Sequence, residues 1–297
     1  MKSNETNEER AAVKLQQETE LRDLLNHLYD LQINSSYPHY HTLESGLIGS
    51  TKVKLSIMSC PEEYSTFYDS KITVDEDRWK DICFHSVKQS ETAVWFKERH
   101  IRLTASKRVH RVKTGTDNFD SLAVQFKNEQ YKGAMTKAMH YGLVMEYSAK
   151  IALSAMTGTT IYDIGLVICA KQPFLACSPD GIIVNGTEME LIEIKCPYSC
   201  KDSVIIDKNE NKSLVDYLIL NALGEPELKQ THVYYTQIQT SLYVTGLASC
   251  KLFVYSQHDC VLVNVFRNEQ FLKTVIPKIE YFYFKYFLPI ILKNTWK

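Results

Sequence analysis

The stretch ACSPDGIIVNGTEMELIEIKCP, residues 176–197, decides the fold. Two apolar runs flank Asn185-Gly186, a pair that favours the tight turn of a β-hairpin. Pro179 restrains the backbone before Asp180, and Gly181 permits a turn after it. Side chains of a strand alternate with period two. Leu191, Glu193 and Lys195 therefore share one face of the second run, and Ile192, Ile194 and Cys196 share the other. Neither face reads as a solvent face. An acid and an amine buried there are costly unless something pairs with them.

Asp180 precedes Glu193 by thirteen residues, so the hairpin carries an acid on each strand and Lys195 beside the second. Two such carboxylates suit Mg²⁺, a hard ion that prefers oxygen ligands. The ion polarises a phosphodiester and acidifies water, and a nearby lysine can orient that water or offset developing charge. The same short pattern also fits a surface hairpin with a cross-strand ion pair. Glu146 bears on the choice. In MHYGLVMEYSAK, residues 139–150, it shares a helical stripe with Met139, Gly142, Leu143, Ala149 and Leu153. That apolar stripe is expected to face the sheet, where an acid needs a partner. A metal would serve, and so would Lys150 at i+4. Gly142 leaves space for a ligand or for close packing.

Two further stretches add to the pattern. HVYYTQIQTSLYVTG, residues 232–246, places Gln237 on a helical stripe with Tyr234 and Ser241, and Gln239 on another with Tyr235 and Tyr243. One glutamine can orient a water or a lysine in a core-facing site, and at least one of the two is expected to be solvated. WFKERHIRLTASKRVHRVK, residues 95–113, concentrates Lys97, Arg99, Arg102, Lys107, Arg108, Arg111 and Lys113 against Glu98 alone. It is either a phosphate-binding surface or a solvated basic helix. A helix restarting at Thr104 would put the hydroxyls of Thr104 and Ser106 beside free backbone N–H groups, which favour anions.

The whole chain has 297 residues, 44% hydrophobic and 23% charged, with a formal charge of −1. A globular protein with no global basic field is expected, so contact with nucleic acid must be local. Several of the eight cysteines lie inside apolar runs and read as reduced thiols. Cys196 and Cys200 form a close pair, with no second pair at zinc-ligand spacing. The opening MKSNETNEER is polar, without a following secretory apolar region, and no apolar run reaches the ~18 residues of a membrane span. An intracellular chain without membrane contact is expected. The periodicity predicts helices over 7–33, 134–157, 212–223, 230–246 and 268–293, and short ones opening at Ser90 and Thr104. Strands are predicted in TIYDIGLVICA, FLACSPDGIIV and EMELIEIKC, and in CKLFVYSQ and CVLVNVFR joined at His258-Asp259. This order gives an α/β domain around one mixed sheet over 89–297, with a partly helical extension over 1–88.

With these residues in place, the chain resembles the lambda-exonuclease/YqaJ branch of the PD-(D/E)XK nucleases. Trp95, Arg99, Thr104 and Ser106, then Gly142 and Glu146, ACSPDG at 176–181, Glu193 to Pro197, and Tyr234, Gln237 and Gln239 match in order across 95–246. The resemblance implies a restriction-endonuclease-like core: a mixed central sheet flanked by helices, here with a helical N-terminal extension. It implies metal binding by Asp180, Glu193, the Ile194 carbonyl and Glu146, with Lys195 as catalytic lysine and Gln237 supporting it. Arg99 and Ser106, with Thr104 and Lys107 beside them, would hold the 5′-phosphate of a DNA end. The implied activity is a Mg²⁺-dependent 5′→3′ exonuclease on double-stranded DNA ends in recombination or repair, with two ions and Mn²⁺ as a substitute. A single-strand annealing protein and a homotrimeric ring are partners that the resemblance brings with it. The alternatives are an inactive DNA-end-binding recombination scaffold and a structure-selective endonuclease. The extension, the long segment 200–230, and His100 and Ile101 after Arg99 depart from the family pattern.

Overall fold

The computed structural model describes residues 7–40, 60–115, 118–129, 135–186 and 188–293. Its helices are α1 (Asn7–Asn34), α2 (Glu62–Phe67), α3 (Glu76–His85), α4 (Ala93–His100), α5 (Lys107–Thr114), α6 (Phe119–Asn128), α7 (Lys137–Thr157), α8 (Val233–Thr245), α9 (Glu269–Phe282) and α10 (Leu288–Leu292). Its strands are β1 (Leu103–Thr104), β2 (Ile161–Tyr162), β3 (Val167–Ile168), β4 (Leu175–Cys177), β5 (Gly181–Asn185) and β6 (Glu188–Lys195). After these come β7 (Ile206–Asp207), β8 (Lys212–Ser213), β9 (Leu218–Leu220), β10 (Pro226–Leu228), β11 (Ser249–Tyr255) and β12 (Cys260–Phe266).

The expected hairpin is β5–β6, antiparallel, with Asn185 opposite Glu188 and Gly186 at φ 62° in the turn. It forms the middle of a five-stranded sheet in the order β12-β11-β6-β5-β2. β6 and β11 are parallel, with Glu193 opposite Leu252, while the other neighbours are antiparallel. The sheet is therefore mixed, as expected. A strand paired on both edges and covered on both faces must be apolar along its length, which accounts for Leu191, Ile192 and Ile194. Ile192 and Ile194 pack with Ala149 and Leu153 of α7, with Cys196 at the margin. Leu191 belongs to the main core, with Ile238 and Leu242 of α8. The two helices thus sandwich the sheet, and the period-two division of β6 holds.

Gly181 serves another purpose than the one expected. Its φ is not positive; a Cβ there would lie 2.6 Å from Ile161 Cγ2 and 3.3 Å from the Tyr162 carbonyl. The glycine lets β2 close on β5 directly after Asp180.

Several of the described residues before 89 are built into the same core. Leu24, Leu25 and Leu28 of α1 are buried there, although Val13 and Leu15 on the same helix are exposed. Gln32 Oε1 accepts from Ala170 N at 2.8 Å. Trp79, fully buried, donates to the Ile168 carbonyl at 2.6 Å, and Ser86 Oγ accepts from Leu166 N at 2.7 Å. Part of the extension, residues 41–59, lies outside the described residues.

Several local expectations fail for identifiable reasons. The helix expected over 212–223 is β8 and β9. Leu218–Leu220 pair with Pro226–Leu228 across a turn at Gly224, φ 79°, while Leu214, Ile219 and Leu223 point to solvent and form no core stripe. Ser90 does not open a helix; Thr92 caps α4 by accepting from Trp95 N. Thr104 lies in β1, parallel to β4, and the next helix starts only at Lys107 behind the cap Ser106. TIYDIGLVICA splits into β2 and β3, which belong to different sheets. No helix among the described residues is long and apolar enough to cross a membrane.

Candidate active site

The hairpin brings Asp180 and Glu193 together from the sequence pattern alone. Asp180 N donates to the Ile192 carbonyl at 3.2 Å, and its carboxylate accepts from Ile194 N at 2.7 Å. Glu193, 4% exposed, accepts from Lys195 Nζ and from Gln237 Nε2 on one oxygen, the latter at 2.5 Å. Gln237 comes from α8, and Tyr234 one turn earlier lays its ring 4.7 Å from Lys195 Nζ. An acid, an amine, an amide and an aromatic face thus converge on the main-core side of β6.

The charge state records this crowding. Burial first, and then the Glu193 carboxylate, push Asp180 up from the usual aspartate range to about 6. Burial works against the charge on Lys195, but Glu193 and Asp180 outweigh it and hold the amine above the ordinary lysine value. Glu146 is raised by burial and then by Asp180, so it lies within electrostatic reach of that carboxylate.

Glu146 is also paired as one alternative expected: Lys150 Nζ lies 2.9 Å from it and 2.8 Å from Asp163. The stripe it sits on is only partly a core stripe. Ala149 and Leu153 are buried, but Met139 is 61% and Leu143 59% exposed. The first turn of α7, residues 137–140, is exposed, and a Cβ on Gly142 would meet nothing within 4 Å. Close packing is therefore not its role. Among the described residues no three His, Cys, Asp or Glu side chains are gathered to hold a metal ion. The expected convergence of Asp180, Glu193 and Glu146 on one gap is not found; each carboxylate is engaged by a protein donor.

A second constellation abuts the first. Ser178, two residues before Asp180, accepts from Trp95 Nε1 at 2.9 Å and from Arg99 Nη1 at 3.3 Å. The Arg99 guanidinium stacks 4.0 Å over the Trp95 ring. Thr104 pairs with Ala176 across β1–β4, and its hydroxyl lies 3.2 Å from Ser106 Oγ. The register of β1 on β4 therefore sets Ser106, at the start of α5, beside the strand that leads into Ser178 and Asp180.

A family model describing the YqaJ-like viral recombinase domain matches residues 94–248. The chain belongs to this family. Two solved structures of LHK-Exo, an alkaline exonuclease from Laribacter hongkongensis, one of them in complex with dAMP, show the same fold. Each is 22% identical to this chain and covers 69% of it and 96% of its own length, with TM-scores of 0.51 and 0.50. No curated protein matches. By family the chain is a phosphodiester-hydrolysing nuclease on a lambda-exonuclease-like PD-(D/E)XK core.

Within the YqaJ-like domain most of the basic run proves structural. Arg102 is fully buried, paired with Glu98 and donating to the carbonyls of Pro173 and Ile72 at 2.8 and 2.7 Å. Arg108 is held by Glu129 and the Phe126 carbonyl, and Arg111 by Gln125 and Glu129. Lys113 lies 5.0 Å from the Phe271 ring centroid. Of the run, Arg99 turns to the site; the side chain of Lys107 lies outside the described residues. Both glutamines are engaged by the protein, Gln237 half-buried against Glu193. Gln239 is fully buried, donating to the Phe266 carbonyl at 2.8 Å and accepting from Asn268 N at 2.7 Å. The eight cysteines are free thiols, Cys196 and Cys200 included. Sequence reasoning missed Ser178. Its signal was its place in SPD, two residues ahead of the acid and hence at the same end of the strand pair.

Proposed function

We propose that this YqaJ-like domain is a Mg²⁺-dependent nuclease that digests double-stranded DNA from its 5′ ends. The observation that carries the proposal is the Asp180–Glu193 pair: burial, and then the Glu193 carboxylate, lift Asp180 to about 6, while Lys195 pairs with Glu193. Hard oxygen donors with excess negative charge fit a divalent cation and suit neither thiolate-seeking nor organic cofactors. Asp180, Glu193 and the Ile194 carbonyl would hold Mg²⁺, or Mn²⁺ in its place, and Glu146 would join them on leaving Lys150. Bound there, the ion would supply Lewis-acid polarisation of the scissile phosphate.

The chain's own residues do the rest. Gln237 and Lys195 fix the Glu193 carboxylate by hydrogen bonds, so its second oxygen keeps a constant direction. Lys195 keeps its charge and offsets the negative charge that grows on the phosphate as water adds. Arg99, set flat on Trp95 and tied to Ser178, presents a rigid fork to the end phosphate, with Ser106 at the helix start nearby.

The test is digestion of linear and covalently closed duplex DNA with Mg²⁺ and with EDTA. Linear duplex is expected to disappear and closed circles to persist, only with Mg²⁺. Cutting of circles would favour the structure-selective endonuclease. End binding without cutting would favour the scaffold. The end pocket is tested by comparing 5′-phosphate with 5′-hydroxyl ends. The phosphorylated end is expected to be digested about 10–100-fold faster, the worth of charged hydrogen bonds. Arg99→Ala should erase that difference, and Arg99→Lys should fail to restore it because an ammonium cannot stack flat and reach Ser178 together.

A further inference from the structure

Between the catalytic strand and the glutamine helix the chain makes an excursion of two hairpins, β7–β8 and β9–β10. One of its side chains reaches back toward the site. Tyr217, just ahead of β9, is 6% exposed. Its ring meets Tyr234 edge to face, with centroids 5.0 Å apart at 69°, and lies 5.5 Å from His232. His232 in turn stands 4.6 Å from Tyr234. The backbone of Tyr217 is tied down as well, its carbonyl accepting from Lys229 N at 2.9 Å. Yet the Tyr217 hydroxyl is buried with no hydrogen-bond partner among the described residues. An unmade hydroxyl bond is a cost, so what keeps a tyrosine there is the packing of its ring.

That ring packs against the Tyr234 ring, over which Lys195 Nζ lies. We infer that Tyr217 is a positioning residue for Lys195, acting through Tyr234. Lysine is a point charge on a flexible stem, and a hydrogen bond donated to Glu193 leaves its direction loose. A ring face 4.7 Å away attracts the ammonium and restricts the stem, but only while the ring is held still. Tyr217 and His232 hold it. Tyr234 and Gln237 lie three residues apart on α8, so the clamped ring shares its face with the amide that holds Glu193. The excursion thus belongs to the reaction centre through this packing. The inference rests on the nuclease proposal for its catalytic meaning, while the seat itself can be probed without cleavage.

The experiment has two readouts on the full chain. The first is pulse labelling of amines with acetic anhydride, read by mass spectrometry at Lys195 against the other lysines, without DNA or metal. Tyr217→Leu and Tyr234→Leu should raise Lys195 labelling severalfold, and Tyr217→Phe and Tyr234→Phe should restore the wild-type level. The second is the kcat and KM of linear-duplex digestion. Tyr217→Leu should lower kcat about tenfold with KM within about twofold, the loss of a desolvated cation–π contact. The same change should have no further effect in Lys195→Ala. Unchanged labelling in Tyr217→Leu, or a loss carried by KM, overturns the inference, as does an equal loss in the Phe variants. If Tyr217→Leu does not fold, the Tyr234→Leu and Tyr234→Phe pair decides alone. If the wild type cuts nothing, the nuclease proposal fails, and the labelling still confirms or overturns the seat.

Discussion

Asp180→Asn is expected to lower the rate of linear-duplex digestion in Mg²⁺ by about 10³-fold while making the metal-free protein more stable. The two effects have one cause. Asparagine keeps an oxygen that can accept from Ile194 N, so the backbone of the hairpin stays tied. It removes the charge that Glu193 repels, the same repulsion that helps lift Asp180 to about 6. What stabilises the fold thereby weakens the proposed cation site. Melting in EDTA should rise by a few degrees, at about 2–4 °C per kcal/mol for a chain of this size. Mg²⁺ should raise the melting temperature of the wild type and leave that of Asp180→Asn unmoved, since only a ligand bound to the folded state shifts it. A variant that melts lower than the wild type in EDTA would sink the electrostatic account.

Lys195→Ala should be as damaging to activity and opposite in stability. The amine pairs with Glu193 and feels the charge of Asp180 as well. Removing it takes away the offset to charge on the phosphate, worth about 10²–10³-fold in rate. It also leaves Glu193, 4% exposed, with Gln237 as its remaining partner against a neighbouring carboxylate. Breaking a buried pair in this way costs about 3 kcal/mol. Unfolding in urea, with EDTA present, should therefore show Lys195→Ala below the wild type and Asp180→Asn above it. Equal destabilisation by both would mean that the pocket tolerates its charges individually and that Lys195 does not hold them together.

How far the chain could be read in advance follows from where each residue finds its partner. The hairpin from Asp180 to Lys195 was legible because turn, alternation and acid spacing all lie within one short stretch, and the partners lie there too. Gln237 was legible as a stripe on a helix, though only the fold shows that it reaches Glu193. The basic run misled because charge in a sequence says nothing about burial. Arg102 and Arg108 meet acids and carbonyls, and some of those partners, such as Ile72 and Pro173, are tens of residues away. Likewise α7 carries its apolar residues at helical spacing along its whole length, but Ala149 and Leu153 pack on the sheet while Met139 and Leu143 stay exposed. The 212–223 segment failed differently. Its leucines can follow either period, and the turn at Gly224 decided for the hairpin.

The parallel pairing of β6 with β11 also sets when the site can exist. A tight turn cannot join parallel strands, and here the crossover between them runs through residues 196–248, α8 among them. On the ribosome the β5–β6 hairpin emerges long before either α8 or β11. Until both arrive, Glu193 lacks Gln237, Lys195 lacks its ring, and β6 has one edge unpaired. Pairing across such a separation forms late and slowly. The unfinished chain therefore carries the acids and the lysine but no assembled centre, and any hydrolytic capacity is withheld until most of the protein has been synthesised and closed.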